Sequence, residues 1–332
     1  MATIYEVSKL AGVSLATVSR VMNDSGKVTP KTRKKVQAAI AELGYRPNSM
    51  AQSLASKRSN SVGILIPELH GPFFGVMLSS IEKELRDADK RVIITAGHSD
   101  EHKERDCIEF LLGSNCDALI LHVYSVPHDY LVELNKGPVP IIILNNYVPE
   151  MPDNCIFLDN EHGGYIATKA LLDHGHRSVA YISGPSWKAD SFKRLVGHKR
   201  ALQECGLTFN EQLVAEGDFE EASGRAAMHQ LLHRDIPFTG LVCANDEMAA
   251  GAMDTARKQG LNVPQDISII GYDNVSFTHY LHPKLSSIGC RISEMGQMAA
   301  RCVLKNAYGQ TDLNIQNTFK PRLVLRDSVK SR

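Results

Sequence analysis

From Ser61 to the end of the 332-residue chain, short apolar runs alternate with stretches of helical periodicity. The runs fall at 62–66, 92–96, 118–122, 141–144, 179–182, 240–244 and 267–270. An apolar run without polar alternation suits a strand covered on both faces. Helices between successive runs make the connections parallel crossovers. The pattern therefore predicts βαβ units. The 272 residues from Ser61 onward exceed one comfortable sheet, so two doubly wound parallel-sheet subdomains are expected. Ligands bind such sheets at the carboxyl ends of their strands.

The first 60 residues differ in kind. Ile4, Val7, Leu10 and Ala11 recur at helical spacing, and Gly12 stops that helix. Ser14 is placed to cap a second helix running to about residue 23. Thr29-Pro30 reads as a cap followed by proline at the first helical position, with Val36, Ala39, Ile40 and Leu43 as the buried stripe and Gly44 as the stop. An all-α, three-helix bundle follows. A polar connector comes next, with a short helix expected at 49–56 that is too short to persist in water without a partner.

Charge separates the two parts. Residues 1–60 carry ten Lys/Arg against three Asp/Glu, net +7, while the remainder carries 27 against 34, net −7. A basic head on an acidic body is the footprint of polyanion binding, although charge alone also suits a solvated face. The N-terminus lacks the apolar run of a signal peptide, and no stretch approaches a membrane span. Seven cysteines without CxxC spacing fit free thiols in a reducing cytoplasm. His174/His176 and His279/His282 lack a companion Cys or carboxylate at ligand spacing, so neither metal nor cofactor is expected. No P-loop, GxGxxG, HExxH or GxSxG pattern occurs, and no nucleophile–base pair stands out, so the chain is not expected to be an enzyme.

The segment Thr3-Ile4-Tyr5-Glu6-Val7-Ser8-Lys9-Leu10-Ala11-Gly12-Val13-Ser14, with Ala16-Thr17-Val18-Ser19-Arg20-Val21-Met22-Asn23, resembles the DNA-binding head of the lactose/galactose repressor family. Gly44-Tyr45-Arg46-Pro47-Asn48, followed by Ala51 and Leu54, continues the resemblance. In the core it runs through Gly71-Pro72-Phe73-Phe74, Gly175-His176, Asn245-Asp246 and Gly271-Tyr272-Asp273. Lys103-Glu104-Arg105 and Arg194-Leu195 with Asp190 upstream are most similar to the galactose repressors.

The resemblance implies a helix-turn-helix whose second helix lies in the major groove of double-stranded operator DNA. Leu15, Ala16 and Arg20 would face base edges, and Arg20 can donate two hydrogen bonds to guanine. Thr17 and Ser19 would meet phosphate. Asn48 and Ala51 are implied as further DNA contacts. Composition alone would pack Leu54 on the core; the resemblance instead makes it a minor-groove wedge in a hinge helix that folds on the operator. In the core, Phe74 is placed to stack on a sugar face. Arg194, Asn245 and Asp273 offer a multi-donor, an amide and an acceptor to sugar hydroxyls. His122, Asn145, Asp190 and Phe219 align with other ligand positions, and Cys290 falls where the family often has a polar contact.

The expected organisation is a head at 1–46, a hinge and linker at 47–60, one core subdomain at 61–158 with 290–319, and the other at 159–289 with 320–332. The expected function is a dimeric, cytoplasmic transcription repressor of sugar-utilisation genes, relieved when a small sugar occupies the core cleft. Galactose or a galactoside is the first expectation; a glucoside, sucrose or an amino sugar are alternatives, as is corepression. The absence of leucine heptads after 322–325 favours a dimer over a tetramer. A solute-binding protein or an α/β enzyme acting on a sugar are the readings from other classes.

Overall fold

The computed structural model describes residues 2–22, 24, 26–45 and 58–332; the expectations for the 49–56 helix and for Asn48, Ala51 and Leu54 lie outside them. The chain divides into two compact units, 1–59 and 60–332.

In the first unit, three helices enclose a small core: α1 (Ile4–Ala11), α2 (Leu15–Met22) and α3 (Pro30–Leu43). Each boundary has a local cause. Thr3 and Glu6 cap α1 reciprocally, which satisfies two otherwise orphaned amides. Gly12 ends α1 at φ 64°, a left-handed conformation glycine adopts at least cost. Ser14 Oγ accepts from Thr17 N at 3.2 Å at the start of α2. Thr29 caps α3 ahead of Pro30. Val7, Ala11, Val18, Val21, Val36 and Ala39 are buried together, with Ile40 and Leu43 packed partly against them. Leu10, read as part of the apolar stripe, is instead 46% exposed, because the α1 contact face is filled by Val7 and Ala11.

The second unit holds two six-stranded sheets, ordered β11-β5-β4-β3-β1-β2 and β12-β10-β9-β8-β6-β7. The first contains β1 (Ser61–Ile66), β2 (Arg91–Ala96), β3 (Ala118–Leu121), β4 (Ile141–Leu144), β5 (Cys155–Leu158) and β11 (Thr318–Phe319). The second contains β6 (Val179–Ser183), β7 (Val214–Glu216), β8 (Gly240–Cys243), β9 (Ser268–Asp273), β10 (Ser286–Gly289) and β12 (Arg322–Val324). All pairings are parallel except β10 with β12. The chain thus passes between the sheets three times, at 159, 290–291 and 320–321.

Helices cover the sheets: α4 (Pro72–Asp87), α5 (Glu101–Gly113), α6 (His128–Asn135) and α11 (Ile292–Tyr308) go with the first. Those of the second are α7 (Asn160–Asp173), α8 (Ala189–Glu204), α9 (Glu221–Leu232) and α10 (Asp246–Lys258). The central strands β3, β4 and β8 are buried throughout, which accounts for their continuous apolar runs. Helices α7 and α8 meet at glycines: a side chain at Gly164 would fall on the Arg194 carbonyl, and one at Gly197 on the Glu161 carbonyl. This close approach fixes the orientation of α8, which carries Asp190 and Arg194.

Candidate DNA-reading face and sugar cavity

In the head, α2 buries Val18 and Val21 and turns the other side outward. Ala16 and Arg20 are exposed; Leu15, Thr17 and Ser19 are half-buried. Thr17 Oγ1 shares a 2.9 Å hydrogen bond with Ser14 Oγ at the start of the helix. On α3, Lys31, Lys34 and Lys35 are exposed, and Arg33 pairs with Asp24 at 2.6 Å.

In the core unit, a cavity opens between the two sheets, with an empty volume of about 720 Å³ that includes its solvent-facing mouth. Its lining comes from loops at the carboxyl ends of strands in both sheets, as doubly wound folds require. Phe74, Asn145, Asp190, Arg194, Phe219, Asn245 and Asp273 all line it.

Arg194 is the hub. Its Nε donates to Asn160 Oδ1 at 2.8 Å, and Nη1 donates to the Ala244 carbonyl. The guanidinium lies 3.8 Å from the Tyr272 ring centroid, with Asp190 and Asp273 each at 3.9 Å. Burial works against its charge, but Tyr272 and the two carboxylates more than offset it and hold Arg194 cationic. Burial also raises Asp273 to about 7, against the lowering effect of Arg194.

On the other lobe, Tyr124 OH donates to Asp190 Oδ2 across the cleft at 2.8 Å and lies 3.2 Å from His122 Nε2. Burial depresses His122 to about 4, so the ring is neutral at physiological pH. The structure places His122 behind the wall, at 1% exposure, with its ring 5.6 Å from that of Phe74 and its Nε2 3.4 Å from the Asn145 amide. Asn145 Oδ1 is buried without a hydrogen-bond partner in the protein. Asn245 is already committed: its Oδ1 accepts from Met248 N at 2.9 Å, capping α10, and its Nδ2 donates to the Phe219 carbonyl at 2.6 Å. Cys290 is buried behind the lining, its Sγ 3.8 Å from Asp273 Oδ1.

Three lining residues hold left-handed backbone without being glycine: Asn145 at φ 60°, Phe219 at φ 79° and Asp273 at φ 104°. Such conformations cost on the order of 1–3 kcal/mol each and gather at ligand sites, where the fold over-determines them.

Comparison with known proteins agrees with this architecture. The profile for bacterial regulatory proteins of the lacI family matches residues 3–48, and that for the periplasmic binding protein-like domain matches residues 168–329. The HTH-type transcriptional regulator GalR of Escherichia coli K12 is 38% identical over 331 residues, covering 100% of this chain and 96% of that protein. The chain belongs to the lacI family. Another relative, catabolite control protein A of Priestia megaterium, is 34% identical, with 99% of each chain covered. Among solved structures, the Lac repressor dimer bound to operator and the anti-inducer ONPF superposes with a TM-score of 0.87 at 28% identity, covering 99% of both chains. These relatives are regulators rather than enzymes. This lacI-family chain is a DNA-binding transcription repressor of the sugar-responsive kind, built from a helix-turn-helix and a two-lobed α/β core. Among the described residues no helix is long and apolar enough to cross a membrane.

The sequence reading missed part of the cavity. Tyr124, Lys188, Glu68, His70, Glu220 and Glu247 also line it. Glu104, of the Lys103-Glu104-Arg105 motif, is buried, accepts from the amides of Tyr124, Ser125 and Val126 at 2.8–3.0 Å and so sets the Tyr124 loop. A buried carboxylate serving three successive amides leaves only a faint sequence trace, since Glu104 is one of three glutamates on this helix.

Proposed function

We propose that this repressor acts as a homodimer in the cytoplasm, reads an inverted-repeat operator with α2, and releases it when D-galactose or a galactoside fills the cavity. The observation that carries the effector reading is the convergence of Arg194, Asp190, Asp273 and Asn145 around the Phe74 and Phe219 rings. Sugars present apolar C–H faces that lie on aromatic rings and hydroxyls that both donate and accept. The pocket offers both kinds of surface. The unpartnered Asn145 Oδ1 is an acceptor that a hydroxyl would satisfy. Full-length likeness to a protein named GalR supports galactose in particular.

The residues then have distinct tasks. Arg194 donates to hydroxyls, and Asp190 and Asp273 accept from them. Tyr124, already bonded to Asp190 from the opposite lobe, makes the hold on the sugar sensitive to the distance between lobes. Asn245 works mainly by positioning, since it fixes α10 and the Phe219 loop. An effector shifts an equilibrium only by binding one state more tightly. A site shared by two lobes supplies such a difference, because only one lobe spacing lets both engage the ligand. In the head, Arg20 and Ala16 face bases, while Thr17 and Ser19 face phosphate. Leu54 acts as the minor-groove wedge, with Asn48 and Ala51 beside it.

Calorimetry of the full chain with D-galactose, methyl galactoside, D-glucose and sucrose tests the effector. Binding of a galactose-type sugar, lost in Asp190→Asn, is expected. Binding of another sugar alone would replace galactose and keep the site, whereas binding unaffected by Asp190→Asn would overturn the site.

A further inference from the structure

We infer that the cavity is an electrostatic filter that admits uncharged sugars and rejects their phosphorylated forms. This rests on the sugar-site reading above and names the ligand class within it.

Carboxylates dominate the lining. Glu68, Asp218, Glu220 and Glu247 stand around the cavity with Asp190 buried beneath, while burial pushes Asp246 and Asp273 up, so those two add less negative charge. Against them stand two cations, Lys188 and Arg194. Both already sit in the field of nearby acids, Asp273 and Asp190 around Arg194, and Asp190, Glu68 and Asp218 around Lys188. Arg194 is committed to Asn160 and the Ala244 carbonyl, and Asp190 and Asp273 already balance its charge. Lys188 is held over the rings of Tyr124, Trp187 and Phe219, at 4.7, 5.4 and 5.5 Å. His70, the remaining basic group, already bonds Glu220 at 2.9 Å.

The helix ends tell the same story. Helix N-termini are ready-made phosphate sites, since their free amides and dipole favour an anion. Three helices begin at this cavity in the second lobe, and each has carboxylates at its start: Asp190 in α8, Glu220 and Glu221 in α9, Asp246 and Glu247 in α10. Asn245 additionally caps α10. The fourth, α4, has no acid in its first turn and no side-chain cap. Glu247 reaches it from the opposite lobe, its Oε1 3.6 Å from where a β-carbon on Gly71 would sit. Each helix start at the cavity is thus faced by a carboxylate.

The test compares D-galactose, D-galactose 6-phosphate and inorganic phosphate by calorimetry on the full chain, in a phosphate-free buffer. The phosphorylated sugar should bind roughly 100-fold more weakly than galactose, from repulsion by several nearby carboxylates at low effective dielectric. Inorganic phosphate should not compete for the cavity. In Glu220→Gln/Glu247→Gln the ratio between the two sugars should fall by roughly 10-fold, because part of the repulsion is gone. Tighter binding of the 6-phosphate, or phosphate competition in the unaltered chain, would overturn the filter. So would an unchanged ratio in the folded double variant. Failure of galactose alone, with phosphate still excluded, would count against galactose as effector and leave the filter standing.

Discussion

Arg194 is 3% exposed and bonds the lip of α7, the end of β8 and two carboxylates, so it supports the core as well as facing the cavity. Replacing it with alanine leaves Asp190 and Asp273 buried without their counter-charge. Arg194→Ala should therefore lose sugar binding and also lower core stability, by about 3–5 kcal/mol. Denaturant melts alongside calorimetry check this; wild-type stability with lost sugar binding would confine Arg194 to ligand contact. Asp273 gives a pH signature. Its folded pKa of about 7 lies above the unfolded carboxylate value, so protonation favours the folded state. That stability is complete below about pH 4 and is lost as pH rises toward about 7. His122 acts oppositely: its folded value of about 4 lies below the unfolded one, so its contribution is lost on acidification. Asp273→Asn removes only the first, so the variant should gain on wild type as pH rises from about 4 to about 7 in urea melts; parallel pH dependences would contradict the assignment. Arg194, Asp190 and Asp273 were legible in the sequence because family motifs flank them. Lys188, Glu220 and Glu247 were not, because such residues are common on surfaces and only the fold brings them to one opening.

Helix α8 depends on its glycine contact with α7. A methyl group at Gly197 forces the two helices apart and moves Arg194 and Asp190 together. Gly197→Ala should cost about 1–3 kcal/mol of overpacking strain and weaken sugar binding while leaving the head's fold intact. Thermal melts with calorimetry test it, and full sugar affinity would show that α8 is free to shift. In the head, α2 presents Arg20 outward. Arg20→Ala should lose discrimination at one base pair per half-site, worth about 1–3 kcal/mol for a bidentate contact. Equal weakening across all operator variants would instead place Arg20 on phosphate. The seven strands read from apolar runs are all present; β1, β3, β4, β6, β8 and β9 are buried along nearly their whole length, whereas the edge strand β2 has no buried residue. Strands β5, β7, β10 and β11 were not read: β7 and β11 have three and two residues, β10 reads Ser-Ser-Ile-Gly, and β5, although apolar, follows β4 with no α-helix between to mark a crossover. Their pairing comes from neighbouring strands, which supply what local sequence does not.

The two compact units differ in physics, a basic three-helix head and an acidic two-lobed α/β core. That division was legible because charge, periodicity and strand pattern all change near residue 60. The closing of two lobes around one cavity was legible only through family likeness, since the three chain crossings leave no compositional mark. The account rests on linkage between the units: occupancy of the cavity must change affinity for DNA. The direct measurement is fluorescence anisotropy of the full chain on an operator selected from a random duplex pool, titrated with D-galactose and methyl galactoside. The selected DNA should be an inverted repeat with half-site centres about one helical turn apart. A sugar that binds the cavity should weaken operator binding by at least about 10-fold, within the usual range of coupling free energies, and Asp190→Asn should abolish that response. Operator affinity unchanged when calorimetry shows the cavity filled would contradict the account.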